Sequence, residues 1–273
     1  MAQWTMEDRN MLRTSRLLSL VAAFVVISIS SAMVVFRGTP EVVFEQPAFQ
    51  EASSSVIAAA VSARSATSIA AASSVVPVHA SSLPRSVTIK MAFSPQAPHA
   101  NWDQLHQEAC EEMSLLLVHH YLAGTPLSGP AQAESELQDI IKWHREHGYI
   151  DDVTVSELGE IAEQYFGYTP RILEDVTADD IRSELAKGNP VIIPAAGRLL
   201  GNPYFTGEGP WYHMLVVKGY EGKTFITNDV GTRRGEGYRY NEEVLINAIH
   251  DWTGVKEETA QGAKRALVLL RDK

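Results

Sequence analysis

Three side chains that can be combined into nucleophilic chemistry stand far apart in the 273-residue sequence: Cys110, His213 and Asp229. Cys110 opens a stretch with Met113, Leu117 and Tyr121 at i, i+4 spacing, which predicts a helix over Ala109 to Tyr121. A thiol at a helix start faces unpaired N–H groups and the positive end of the dipole, both of which favour the thiolate. Glu111 and Glu112 suit a helix's first turn, yet they oppose a thiolate if they point towards it. A lone cysteine is more often a small buried apolar residue. The chemical reading therefore depends on partners.

The partners come from a hairpin. The strand-like HMLVVKGY from His213 runs into the turn-like Gly219-Tyr220-Glu221-Gly222, and KTFITN then runs back towards Asp229. Counted from Glu221, His213 and Asp229 are each eight positions away, which sets them side by side at the open end of an antiparallel pair. A carboxylate there can take one imidazole proton and leave the other ring nitrogen facing a thiol. Taken singly, His213 is an ordinary strand residue and Asp229 a turn residue of Asn-Asp-Val-Gly. An acyl-transfer site also needs an oxyanion donor. Gln96, Gln104 and Gln107 all precede Cys110, and spacing does not choose among them.

The elements that must position these groups change type along the chain. Ser86 to Phe93 alternates as a strand, and a polar, Pro-containing loop runs from Ser94 to Gln107. Helices are expected from Ala131 to His147, between the capping box Thr154/Glu157 and Gly167, and from Thr177 until Gly188 and Pro190. Strands follow at Val191–Ala195, His213–Tyr220, Thr224–Asn228 and Ala266–Leu270, with one helix near Asn241–His250. Helices first and a mainly antiparallel sheet later make an α+β fold, not a doubly wound one.

Composition excludes other classes. A net charge of −10, a pI of about 5.4 and no dense Lys/Arg run exclude a nucleic-acid partner. One cysteine rules out an internal disulfide and a multi-cysteine zinc site. His119 and His120 are adjacent and face different ways; His144 and His147 lie three apart, but no His-Glu-x-x-His occurs. No metal or other cofactor is expected.

Leu17 to Phe36 is a run of twenty uncharged residues, long enough to span a bilayer. Arg9, Arg13 and Arg16 precede it, and Arg37 follows, which places the N-terminus in the cytoplasm and the remainder outside. The rival reading is a cleaved signal peptide ending near Ser30-Ser31-Ala32; it too puts the folded part outside, as a secreted protein. The organisation expected is therefore a cytoplasmic N-terminus (1–16), an anchor (17–36), an Ala/Ser-rich linker (37–85) and one folded domain (86–273). Nothing bears on oligomeric state.

FSPQAPHANWDQLHQEACEEMSLLL, WYHMLVVKGY and FITNDVGTRRGEGYRY together resemble the peptidase C-39-like group, papain-like relatives of the peptidases that trim double-glycine leaders. The resemblance covers about residues 86 to 271. It implies a papain-like fold, with helices packed on the sheet, and an extracytoplasmic thiol hydrolase. Cys110 is then the nucleophile, His213 the base, Asp229 its orienter, and Gln96 the oxyanion donor, acting on a peptide or protein through a thioester. The sequence departs from the better known members in having Glu111 directly after the cysteine. A non-catalytic peptide-binding module is the main alternative, and a transpeptidase or acyltransferase using the same thioester is the second. The Gly/Pro-rich stretch from Gly197 to Trp211 leads into His213 as a candidate wall, with Tyr204, Trp211 and Tyr212 as substrate-binding aromatics and Arg233 and Arg234 on the same rim.

Overall fold

A computed structural model describes residues 83–271 of the chain. The chain enters through a short strand, β1 (Ser86–Thr88), and a one-turn helix, α1 (Gln104–Gln107). Three longer helices follow: α2 (Cys110–Ala123), α3 (Pro130–Glu146) and α4 (Val155–Phe166). Then come β2 (Thr169–Leu173), α5 (Ala178–Ala186), β3 (Val191–Ala196), β4 (Tyr212–Glu221), β5 (Thr224–Asn228), β6 (Glu236–Asn241), α6 (Glu242–Ala248) and β7 (Ala266–Leu270).

The strands form one antiparallel sheet of order β2-β7-β3-β4-β5-β6, with β1 pairing to the far end of β4. Strand β4 is buried from Tyr212 to Tyr220 and explains the layering. Met214 and Val216 point into a core shared with Met113, Leu117 and Leu158 of α2 and α4. Leu215 and Val217 point the opposite way, against Ile181, Leu185 and Leu245 of α5 and α6. A sheet clothed on both faces requires this continuous apolar run, and side chains of period two then divide it between two cores.

Expected elements are present within two or three residues for the helices, and β5 and β7 have the expected ends. The capping boxes Thr154/Glu157 and Thr177/Asp180 both form, and Gly167 ends α4 with φ +75°. Three strands differ. The first is shorter than Ser86–Phe93: its ladder with β4 ends at Thr88 opposite Gly219, with one further bond from the Ile89 N–H to the Lys218 carbonyl at 2.7 Å. Beyond it the segment is tied to the end of β5 instead, by Asn228 Nδ2 donating to the Ala92 carbonyl and the Gln96 N–H to that of Val230. Strands β2 and β6 are additional. Both are sheet edges, where a proline (Pro170) and charged, half-exposed residues are tolerated and the apolar alternation fades.

No helix among the described residues is long and apolar enough to cross a membrane. The anchor expected at 17–36, and the linker before residue 83, lie outside the described residues.

One polar pair sits inside the helical layer. Glu112 of α2 and His144 of α3 are both buried, with Glu112 Oε1 2.5 Å from His144 Nδ1. Their other polar atoms, Glu112 Oε2 and His144 Nε2, have no hydrogen-bond partner among the described residues. Removing one partner of such a pair leaves a desolvated polar group, whereas replacing both with apolar residues is often neutral. We expect His144→Ala to lower unfolding stability by about 3 kcal/mol. Glu112→Leu combined with His144→Phe should recover most of that loss, as measured by chemical denaturation.

Candidate active site

Cys110 is the first residue of α2, and its backbone N–H therefore has no acceptor within the helix. It lies against the start of β4: the Met214 N–H donates to Cys110 Sγ at 3.2 Å. His213, the preceding residue on that strand, lines the same cleft of about 320 Å³ as Cys110, Gln96, Gln107, Trp102 and Tyr212. Residues from helix start and strand start, 103 positions apart in sequence, thus meet at one opening.

His213 Nε2 lies 2.8 Å from Asp229 Oδ1. The contact does not arise from the direct opposition that the symmetric count predicts. The turn and the bulge in β4 set Val216 opposite Asn228, so Asp229 sits just past the end of β5 and reaches across to the imidazole. Asp229 is wholly buried and fully satisfied. Tyr240 Oη and Asn202 Nδ2 donate to its Oδ2 at 2.5 and 2.9 Å, and the Gly231 N–H donates to Oδ1 at 3.1 Å. Burial works to raise the Asp229 pKa, but His213 and the bonds from His213, Tyr240 and Asn202 outweigh it, leaving the carboxyl below its ordinary range. An ionised Asp229 only accepts, so the proton belongs on His213 Nε2. In a neutral ring Nδ1 is then the lone-pair nitrogen, and it has no hydrogen-bond partner among the described residues.

Two glycines make the arrangement fit. A Cβ on Gly231 would lie 2.8 Å from His213 Cε1, and one on Gly235 would lie 1.7 Å from the Asp229 carbonyl oxygen. The loop can wrap the His–Asp pair this closely only without side chains at those points.

The thiol does not behave as its helix position alone predicts. Cys110 Sγ donates to Glu111 Oε2 at 3.0 Å, and both residues are buried. Burial first, and Glu111 second, push the thiol pKa well above its ordinary value, against the lowering influence of the Met214 N–H. Glu111 is itself raised well above its ordinary value, by burial first and by neighbouring Glu112 second. Desolvation outweighs the helix dipole here. At rest the thiol is neutral and hydrogen-bonded to Glu111.

Gln96 is buried and lines the cleft, but its amide nitrogen already has two carbonyl acceptors, His106 at 2.8 Å and Gln107 at 3.0 Å, while its Oε1 has no hydrogen-bond partner among the described residues. It holds the turn in front of Cys110. Gln107 also lines the cleft and spends one amide hydrogen on the Trp102 carbonyl, leaving a second. Gln104 does not line it.

Of the aromatic residues expected to bind substrate, Tyr212 is buried, lines the cleft and donates its hydroxyl to the Val153 carbonyl at 2.9 Å. Trp211 and Tyr204 are exposed and flank adjoining recesses; the Arg198 guanidinium lies 3.3 Å over the Trp211 ring. Sequence reasoning passed over Trp102, Phe205, Asn202 and Tyr240. Trp102, in the polar Asn101-Trp102-Asp103, was the one with a visible signal, an aromatic with no apolar neighbours. Asn202 and Tyr240 reach Asp229 only through tertiary folding.

The Peptidase_C39 like family model matches residues 93–259, which is more than half the chain and contains every one of these groups. The chain belongs to the Peptidase_C39 like family. No curated protein matches it. Among solved structures, the crystal structure of a presumptive C39-like peptidase from Bacillus anthracis aligns at 14% identity with a TM-score of 0.45, covering 69% of this chain and 98% of that one. Among the described residues of this C39-like chain, no group of three or more His, Cys, Asp or Glu is placed to hold a metal ion. His144 is used by Glu112, and His120 by Glu136 and Thr125.

Glu111 can be separated from Cys110 without changing shape. In Glu111→Gln the amide can donate to the sulfur and brings no competing acid. Iodoacetamide alkylation of Cys110 at pH 7 should then rise about tenfold, equivalent to one pKa unit. A carboxyl held above its unfolded range contributes stability at low pH and loses it as pH rises. The same substitution should therefore stabilise the fold more at pH 8 than at pH 4, a difference that thermal melts can read.

Proposed function

We propose that this chain is a papain-like cysteine hydrolase that cleaves a peptide or amide bond through Cys110, His213 and Asp229. The observation that carries the reading is the buried His213–Asp229 pair. It ties Nε2 of the imidazole to Asp229 and leaves Nδ1 as the ring nitrogen for a second partner, in a residue that lines the same cleft as Cys110. A module that only binds peptide has no need of a fully satisfied buried carboxylate behind a histidine. Helices ahead of an antiparallel sheet, with the cysteine at a helix start and the histidine at a strand start, also support the papain-like reading.

In this mechanism substrate binding draws Cys110 Sγ from Glu111 towards His213 Nδ1, which accepts its proton. The thiolate attacks the carbonyl carbon and a thioester forms as His213 protonates the leaving amine; His213 then activates the water that resolves it. Asp229 stabilises the imidazolium throughout. The oxyanion falls between the Cys110 N–H and a glutamine amide. As the chain stands, Gln107 has a hydrogen to spare, whereas Gln96 would first have to release a carbonyl. Resolution of the thioester by an amine instead of water would make the enzyme a transferase with the same residues. On the sequence reading the domain works on the extracytoplasmic side.

The Cys110–Glu111 bond favours a second reading, a binding module whose thiol stays neutral. Incubating the full chain with a complex peptide mixture and sequencing new termini by mass spectrometry separates the two. New termini are expected with the native chain and none with Cys110→Ser. Asp229→Asn should slow their formation by at least about 10²-fold. No new termini between pH 4 and 9 would leave the binding reading. For the oxyanion donor, Gln107→Ala should lower kcat/KM by about 10²-fold with little change in melting temperature. A loss of that size confined to Gln96→Ala would return the role to Gln96.

A further inference from the structure

The cleft has two ends of opposite charge. Cys110, Pro210 and Tyr212 line both the central cleft and a recess of about 180 Å³ that also contains Glu108, Asp152 and Lys256. Lys256 Nζ lies 3.4 Å from Glu108 and 3.8 Å from Asp152, so two carboxylates share one ammonium and a negative charge is left over. Asp152 is raised to about 6 by burial and by Glu108, and is ionised at neutral pH. In the opposite direction, Trp102, Thr206 and Gly231 line both the central cleft and a recess of about 230 Å³ containing Arg233 and Arg234. The Arg234 guanidinium rests 4.8 Å from the centre of the Tyr204 ring, and neither arginine forms an ion pair among the described residues.

The two ends can be assigned to the two halves of a substrate. The acidic recess touches Cys110 but not His213; the basic recess is reached past Gly231, which abuts the His213 ring, and does not touch Cys110. The acyl part stays on sulfur, while the leaving amine departs on the side of the group that protonates it. Resting on the hydrolase reading for this direction, we propose that the site selects a peptide with a basic side chain on the acyl side of the scissile bond and an acidic group on the leaving side. Asp152 and Glu108 recognise the first, and Arg233 and Arg234 the second. Opposed charges at the two ends fix the direction in which a chain lies more than they add affinity.

Charge order tests this apart from catalysis. Two blocked, fluorescein-labelled ten-residue peptides of identical composition would be titrated into the full chain carrying Cys110→Ala, with fluorescence anisotropy as the readout. One has two lysines towards its N-terminus and two glutamates towards its C-terminus; the other has the order reversed. Net charge is equal, so attraction to the acidic protein as a whole cancels. The basic-to-acidic peptide should bind about fivefold tighter, as two partly exposed ion pairs would give. The gap should shrink below twofold in Asp152→Asn and in Arg233→Gln/Arg234→Gln. Equal affinities, a reversed preference or no measurable binding of either peptide would overturn the proposal. An order preference without turnover by the native chain would uphold this groove and sink the hydrolase reading. Turnover without an order preference would do the opposite.

Discussion

A carboxylate with no exposure to solvent, Asp229, is the fixed point of this structure. Taking it out of water is tolerable only if its lone pairs are filled, and each filling group comes from a different part of the chain. His213 is the second residue of β4, Tyr240 the last but one of β6, Asn202 lies in the segment before β4, and Gly231 belongs to the loop that follows Asp229 itself. The requirement ties three adjacent strands and two loops to one point at the sheet's end. It also decides the histidine tautomer. The same feature that ties these strands together therefore fixes which ring nitrogen faces away from the carboxylate.

Across the cleft the balance runs the other way. Cys110 is placed where a helix dipole favours the anion, yet the next residue turns a buried acid onto the sulfur. A dipole contribution of up to about 2 kcal/mol cannot match the desolvation of a thiolate beside two buried glutamates. One half of the site is thus preorganised and the other is held in a neutral resting state. What keeps the thiol neutral is burial first and the carboxyl of the next residue second.

The legible parts of the sequence were those governed by local rules. Capping boxes at Thr154 and Thr177, the glycine after α4, and the apolar runs of β3, β4, β5 and β7 give ends and types directly. The triad candidates were legible because a hairpin brings His213 near Asp229 whatever the detail of its register. The detail itself was not: the two-residue turn is Gly222-Lys223, with Gly222 at φ +55°, so its centre lies beyond Glu221, and the bulge in β4 shifts the pairing further. Edge strands β2 and β6 were missed because an edge need not alternate. Asn202, Tyr240 and the glutamate pairing with His144 depend on contacts 27, 11 and 32 residues apart, where no spacing rule operates. The pairing of Cys110 with Glu111 was the opposite case, adjacent in sequence but decided by burial.

The loop from Gly231 to Gly235 has a consequence for how such a site can diversify. Its two ends are sterically pinned, one against the His213 ring and the other against the Asp229 carbonyl. Between them Thr232, Arg233 and Arg234 face a recess and carry none of the Asp229 hydrogen bonds. Thr232 is buried and its hydroxyl accepts the Arg234 N–H, so the two arginines are the positions that can be rewritten between the pinned glycines, an exchangeable cassette beside the reactive centre. New partners can be sampled there while the proton-transfer geometry is inherited intact.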